Sequence, residues 1–199
     1  MLNKTYKFLL LLNIFFFLTI NSFSIEPSIF VQSTVNRASQ ALGDSISKEK
    51  KIKLLKEIAK ETVDINGIGL YTLGKHRKSL SNNQKKKYRI LFEKYFLKSF
   101  ASRLAEYSNP EIEVDSEKKL NDNYTIVLST LVSTEKRPEI KINWRIYTKD
   151  PENLLIRDLI IEGLSLARTQ KEEFNSILQT NNGDINSLFS SLEEFAKNN

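Results

Sequence analysis

Apolar residues recur at three- and four-residue spacing through the first half of this chain, a period typical of amphipathic helices. One such helix is predicted over residues 29–42. Ser47 is in position to cap a second helix and Asp64 a third, short one. Gly74 follows the third helix, where a residue with a left-handed backbone commonly ends a helix.

The strongest helical signal follows Ser81. Ser81 and Gln84 have the spacing of a capping box, in which each side chain bonds the other residue's backbone N–H. Behind it one face carries an apolar stripe rich in aromatic rings: Tyr88, Leu91, Phe92, Tyr95, Phe96, Phe100, Leu104 and Tyr107. The pair Asn109-Pro110 is expected to end this helix, and its broad aromatic face needs a wide apolar partner.

The period then changes to two, which is typical of β-strands. Strands are predicted around Ile112 and Val114, and over residues 124–132, 140–146 and 154–161. Polar turns with no helix between them favour an antiparallel meander. We expect the aromatic helix to cover one sheet face carrying Ile126, Leu128, Ile142, Trp144 and Ile146.

Two more helices are predicted at the end of the chain. Residues 169–172 (Thr-Gln-Lys-Glu) have the pattern of a capping box, Asn182-Gly183 is a stop signal, and Asp184 can cap the last helix. Helices kept separate from an antiparallel sheet give an α+β fold. We therefore predict a four-stranded antiparallel sheet covered by helices on one side.

The first 24 residues have a different pattern. Lys4 and Lys7 precede an apolar run over residues 8–20, and the small residues Ser22 and Ser24 follow it. A basic start, a short apolar core and a small-x-small exit predict a cleavable signal peptide. The alternative is an uncleaved anchor. We expect residues 1–24 to be removed and residues 25–199 to form one domain, soluble beyond the inner membrane.

Composition removes several function classes. The sequence has no Cys and a single His, which excludes thiolate metal sites, cysteine nucleophiles and histidine-rich metal centres. Its 30 Lys and Arg against 24 Asp and Glu are a mild excess, and the lysine clusters lie at the starts of amphipathic helices. Such clusters are typical of a solvated face, so we expect no nucleic-acid partner and no metal or other cofactor.

Two residues remain as candidates for catalysis. His76 lies between Lys75 and Arg77 after a helix end, without a recognisable nucleophile or acid partner. Asp158 interrupts an apolar strand, and no second carboxylate accompanies it there. Surface or ion-pairing roles explain both residues more simply. The inward apolar surface instead favours a binding protein, although the pattern does not tell a solid core from a cavity for an apolar ligand.

Ordered motifs along the chain resemble the MlaC family, also called the toluene-tolerance or Ttg2D-like family. The first motif is present as Asp64, Leu73-Gly74, Arg77, Gln84, Tyr88, Phe92, Phe96 and Phe100-Ala101. The second is present as Asp158 and Ile161-Glu162-Gly163-Leu164-Ser165-Leu166, followed by Arg168 and Phe174. The chain departs from the family pattern at Leu154, where the family has Trp, and at Trp144, where it usually has Tyr.

The resemblance implies a periplasmic phospholipid carrier with an NTF2- or cystatin-like outline, which performs no reaction. Its implied partners are an outer-membrane lipoprotein–porin complex and an inner-membrane ABC transporter with an MCE-domain protein. The implied role is maintenance of outer-membrane lipid asymmetry, by a monomer. The apolar cavity for the acyl chains would be lined by Leu73, Phe92, Phe96, Phe100, Ile126, Leu128, Ile142, Trp144, Ile146, Leu159 and Ile161.

Two alternatives to a phospholipid carrier stay open. The first is a carrier of another apolar lipid, such as a hopanoid or a sterol-like molecule. The second is a periplasmic enzyme acting on lipids, with Asp158 and His76 as its only candidate groups. The composition of lipid that co-purifies with the protein would separate the three hypotheses.

Overall fold

The structure is a computed structural model that describes residues 25–135 and 137–197. The predicted signal peptide, residues 1–24, lies outside the described residues. The helices are α1 Pro27–Ala41, α2 Lys48–Thr62, α3 Ile65–Thr72, a 3-10 helix Gly74–Lys78, α4 Asn82–Leu104, α5 Leu166–Thr180 and α6 Ile185–Lys197. The strands are β1 Ile112–Asn121, β2 Tyr124–Leu131, β3 Ile140–Tyr147, β4 Leu155–Ile161 and β5 Leu164–Ser165.

The predicted helix starts before α2, α3 and α4 are confirmed. Ser47 accepts a hydrogen bond from the Lys50 N–H, and Asp64 accepts one from the Gly67 N–H at 2.8 Å. The capping box of Ser81 and Gln84 is complete, with both reciprocal bonds formed. These bonds satisfy backbone donors that have no partner within the helix, which explains why each helix begins at these residues.

Two helix boundaries differ from the prediction. Helix α5 begins at Leu166, with Ser165 as its cap, and Thr169 lies inside it with its hydroxyl bonded to the Ser165 carbonyl. The predicted capping box at residues 169–172 is therefore wrong. Helix α4 ends at Leu104, so Tyr107 lies beyond it. At α5 a tertiary contact outweighs the local signal, because the start of this helix is held by a strand residue, as described below.

The sheet is an antiparallel meander in the order β1-β2-β3-β4-β5, which confirms the predicted topology. It has one strand more than predicted, because β4 continues through a two-residue turn into the short β5. Glu162 and Gly163 in that turn have φ of +49° and +82°. Positive φ at both central residues is the type I′ requirement, which glycine meets without strain.

Helices cover the sheet, as the α+β prediction states, but the helix nearest to it is not the predicted one. The backbone of α1 lies against β1 and β2, and those of α3 and α5 lie against β4. Helix α4, expected to cover the sheet, packs its backbone mainly on α2, α3 and α6. Its side chains, among them Tyr88, Leu91 and Phe92, reach the core that the sheet shares with the helices. The aromatic helix is thus a second layer behind the helices that approach the sheet.

One contiguous apolar core fills the space between the helices and the inner face of the sheet. A smaller cluster lies between α1, α2 and the end of α4, and includes Leu42, Leu55 and Ala101. Within the described residues, no helix combines the length and the apolar character needed to cross a bilayer.

Candidate functional site

The aromatic stripe of α4 forms a column of rings. Phe92 is its centre, with ring centroids 5.7 Å from Tyr88 and 6.1 Å from Phe96, and an edge contact to Phe174 of α5 at 6.2 Å. Phe96 and Phe100 stack at 5.6 Å with nearly parallel planes. Phe92 is 2% exposed, whereas Phe96 and Phe100 are half-buried at the edge of the core. The column therefore runs from the interior towards the surface.

The inner face of the sheet lies on the other side of this core. Ile142, Trp144 and Ile146 of β3 are buried on one face, and Leu159 and Ile161 of β4 pair directly with Trp144 and Ile142. Directly opposed residues in an antiparallel pair share a face, so these five predicted site residues lie together. Leu159 and Ile161 are half-buried, which leaves this edge of the face partly open.

Two predicted site residues lie on the wrong face. Ile126 of β2 pairs with Arg145, and Leu128 pairs with Asn143, so both point away from Trp144. The inner face of β2 is formed instead by the buried residues Thr125, Val127, Ser129 and Leu131. Strand β2 is apolar on both faces, and alternation alone does not tell which face is inside. Pairing with β3 decides it.

A polar group on this apolar face is fully bonded. The Trp144 Nε1–H donates to the Ser129 hydroxyl at 2.8 Å, and that hydroxyl donates to the Ile142 carbonyl at 3.0 Å. Ser129 is 2% exposed. Because unpaired polar atoms are costly in an apolar interior, these two bonds let the indole and the hydroxyl face apolar groups. The Trp144 indole and the Ser129 hydroxyl therefore need no water as a hydrogen-bond partner.

Leu73 connects the interior with the surface. Its side chain is 1% exposed and belongs to the same core cluster as Phe92 and Trp144. It also lines an open cleft of about 260 Å³ between the end of α3 and α5. A second cleft of about 350 Å³ adjoins it along the 3-10 helix. Gly74, Lys75 and Lys171 border both clefts.

The basic rim of these clefts was missed by sequence reasoning, which considered Lys75 and Arg77 only as the neighbours of His76. Lys75, Arg77 and Lys78 follow the glycine that ends α3, whereas Lys171 comes from α5 far along the chain. The run of four basic residues at 75–78 directly after Gly74 was the available signal. The contribution of Lys171 depends on the packing of α3 against α5.

The two candidates for catalysis have different surroundings. Asp158 is buried, and its carboxylate accepts hydrogen bonds from the Ser165 hydroxyl at 2.6 Å and the Ala167 N–H at 3.0 Å. A carboxylate at a helix start satisfies free N–H groups and interacts favourably with the helix dipole. Asp158 thus holds the first turn of α5. His76 lies in the 3-10 helix, and its Nε2 is buried without a described hydrogen-bond partner.

Two tyrosines of the aromatic column have perturbed acidity. Burial raises the pKa of the Tyr88 phenol well above its ordinary value, because the phenolate would be desolvated. The Tyr88 oxygen lies 2.8 Å from the Thr72 hydroxyl. Burial also raises the pKa of Tyr95, which donates to the Gln170 side-chain carbonyl at 2.7 Å. Both phenols are neutral groups that tie α4 to α3 and α5.

A metal site needs several ligating side chains close together. Among the residues that the structure describes, no three His, Cys, Asp or Glu side chains are grouped closely enough to hold a metal ion.

The core and the two clefts together offer an apolar interior, a ring column that reaches the edge of this interior, and a basic opening. Such a combination can hold an amphiphile.

A curated relative and a solved structure resemble this chain. The Haemophilus influenzae protein named intermembrane phospholipid transport system binding protein MlaC is 27% identical over 137 residues, covering 67% of this chain. The match spans 63% of that relative's length. The phospholipid-binding protein of Ralstonia solanacearum, solved in complex with a phospholipid, is 17% identical. It superposes with a TM-score of 0.72, covering 86% of this chain and 97% of the other, which shows the same fold.

A match to a protein-family model decides the classification. The MlaC protein family matches residues 32–194, which span all the helices and strands of the fold except the first residues of α1 and the last of α6. That range contains both motifs on which the resemblance in the sequence depends. The chain therefore belongs to the MlaC family.

Proposed function

We propose that this protein is a phospholipid carrier, which holds the acyl chains of one lipid between the ring column of α4 and the inner face of the sheet. The observation that carries the proposal is the position of Leu73. Through this residue, the apolar interior directly adjoins an open basic cleft. An amphiphile needs an apolar volume and a polar opening side by side, and the interior and this cleft provide both.

The relatives support this choice of cargo. The curated relative is named as a phospholipid transport binding protein, and the structural neighbour holds a phospholipid. In the present structure the apolar side chains pack against one another. Lipid entry therefore requires the half-buried residues at the edge, such as Phe96, Phe100 and Leu159, to move apart.

The energetics of transfer favour a carrier that needs no chemical step. Burying acyl chains gains about 0.8 kcal/mol per CH₂ group, whether the chains leave water for a bilayer or for a protein interior. The two gains nearly cancel, so lipid can pass between membrane and protein without a large free-energy difference. The role of Asp158 at the start of α5 supports a carrier rather than an enzyme.

The proposed location is the periplasm, reached by cleavage of the signal peptide after Ser24. We propose that the carrier exchanges lipid with an outer-membrane lipoprotein–porin complex and with an inner-membrane ABC transporter that bears an MCE-domain protein. This traffic would maintain the lipid asymmetry of the outer membrane. The signal-type pattern of the first 24 residues and the membership in the MlaC family support this assignment.

Mass spectrometry of an organic extract tests the function. The full chain is expressed with its own N-terminus, purified from the periplasm without detergent, and its intact mass and extracted lipids are measured. We expect loss of residues 1–24 and about one phospholipid per protein. A polycyclic lipid in place of phospholipid would instead support a hopanoid or sterol-like cargo. A lipid-free protein that hydrolyses added phospholipid would overturn the carrier.

A further inference from the structure

The rim of the two clefts concentrates positive charge that the protein itself leaves unbalanced. Lys75, Arg77, Lys78 and Lys171 line the clefts, against one carboxylate, Glu172. Among the described residues, no carboxylate lies within ion-pair distance of these four cations. Other lysines of the chain do form such pairs, for example Lys48 with Glu106 and Lys87 with Glu193.

Local geometry holds these charges around one opening. Gly74 has a φ of +54°, and a Cβ at this position would lie 3.1 Å from the Lys171 Cε. The glycine thus lets the stem of Lys171 pack on the turn from which Lys75 projects. The Lys171 ammonium also lies 5.0 Å from the centroid of the Tyr71 ring, a cation–π contact that orients it.

The floor of the same opening is apolar. Leu73 and Thr72 line the smaller cleft, and both are 1% exposed. A charged group seated among the lysines would therefore be next to the interior in which the acyl chains are proposed to lie. In a phospholipid the phosphodiester occupies this position, directly between the glycerol-linked chains and the polar headgroup.

We propose that this basic cleft binds the phosphodiester of the carried lipid and so favours cargo with a net negative headgroup. The inference rests on the proposed carrier function and adds a substrate preference to it. A zwitterionic headgroup brings its own cation next to the lysines, which offsets part of the attraction. A phosphatidylglycerol headgroup brings none. Lys and Arg are the side chains suited to such phosphate recognition.

The test compares two lipids with identical acyl chains, phosphatidylglycerol and phosphatidylcholine. Each displaces a fluorescent lipid from the full-length mature protein at constant ionic strength. We expect phosphatidylglycerol to bind about threefold to tenfold more tightly, the size given by one or two partly exposed charge contacts. The variant Lys75→Gln/Lys171→Gln should lose this preference. Its matched control, Lys53→Gln/Lys94→Gln, changes two exposed lysines that border neither cleft and should retain it.

Each other outcome overturns a defined statement. Equal affinities in the unaltered protein, or a preference that survives in Lys75→Gln/Lys171→Gln, overturns the phosphodiester site alone. Binding of neither lipid overturns the carrier function itself. Inorganic phosphate that binds to the cleft without any lipid preference would identify a free anion as the ligand and overturn the proposal. The proposal would also be overturned if Lys75→Gln/Lys171→Gln lost adhesion to phosphatidylglycerol vesicles but kept the preference between single lipids. The cleft would then contact a membrane surface.

Discussion

At the scale of single residues, Leu159 and Leu128 form a matched pair. Both are half-buried leucines on neighbouring regions of the sheet, but Leu159 pairs with Trp144 on the inner face and Leu128 pairs with Asn143 on the outer face. A lysine at either position can reach water with its ammonium group, because long charged side chains keep their heads solvated. The two substitutions therefore test the site without an obligatory loss of folding.

We predict that Leu159→Lys lowers phospholipid binding at least tenfold, because lipid bound on the inner face would displace the water around the ammonium group and desolvate its charge. Leu128→Lys should bind lipid as the unaltered protein does. Binding is measured by displacement of a fluorescent lipid, and folding by far-UV circular dichroism. Equal loss of binding in two folded variants would contradict the assignment of the inner face as the lipid site.

Tyr88 gives a prediction about pH. Burial raises the pKa of this phenol above its ordinary value of 10.0, so the folded state holds the proton more tightly than the unfolded chain does. The contribution of the neutral phenol to the free energy of unfolding is thus fully present below about pH 10 and is lost as the pH rises further. The loss should not exceed about 1.4 kcal/mol per pH unit for this one group.

Urea unfolding at pH 7 and pH 11 measures this effect. The variant Tyr88→Phe should lose about 0.5–1.5 kcal/mol at pH 7, since the hydrogen bond with Thr72 is removed. At pH 11 its stability should be closer to that of the unaltered protein, because phenylalanine has no proton to release. If the free energies of unfolding of the two proteins differed by the same amount at pH 7 and pH 11, Tyr88 would ionise equally easily in the folded and unfolded states.

At the scale of elements, the crossing of α3 and α4 depends on one glycine. A Cβ at Gly69 would lie 2.8 Å from the Cδ1 of Phe92, whose ring is fixed by contacts with Tyr88, Phe96 and Phe174. Alanine favours a helix by about 1 kcal/mol over glycine. Overpacking of a fixed core side chain costs about 1–3 kcal/mol. The clash therefore outweighs the gain in helix propensity.

We predict that Gly69→Ala lowers the free energy of unfolding, measured by urea denaturation. In a Phe92→Leu background the same substitution should cost less, because the smaller side chain leaves space for the added methyl. Gly43→Ala is the control, since a Cβ there would find its nearest neighbour at 3.5 Å, an ordinary contact. A stabilising effect of Gly69→Ala would mean that the two helices separate freely.

The motif Ile161–Leu166 also has its explanation at this scale. Glu162 and Gly163 form the turn between β4 and β5, Ser165 caps α5, and Asp158 bonds the start of the same helix. Its residues therefore join a strand to a helix within a few positions. The sequence motif reflects this junction. Asp158, which precedes it, is explained by its bonds to the start of α5 and needs no catalytic role.

At the scale of the whole molecule, the single tryptophan of the chain is a built-in reporter. Trp144 is 9% exposed on the inner face of the sheet, next to the proposed acyl chains. We predict that a phospholipid brominated on its acyl chains quenches Trp144 emission on binding, whereas the same lipid without bromine does not. Bromine attached to the headgroup should quench much less. Equal quenching by both brominated lipids would place the headgroup in the interior.

Much of the fold could be predicted from the chain because its signals are local. The caps Ser47, Asp64 and Ser81 fix helix starts through bonds within three residues, and period-two stretches mark the strands. The site could be predicted only in part. Phe92, Phe96 and Phe100 share a face by helical spacing, but the two apolar faces of β2 gave no local reason to prefer one.

The sequence by itself determined the order of the six α-helices and the four longer strands, the ring column of α4 and the apolar face of β3. Each of these depends on periodicity within one segment. Only the tertiary structure decided that Val127 rather than Ile126 faces inward, because strand pairing sets the register. It also decided that Lys171 joins Lys75 at one opening, because this contact follows from the packing of α3 against α5. Contacts between distant segments have no local periodicity, and they place the charges beside the apolar interior.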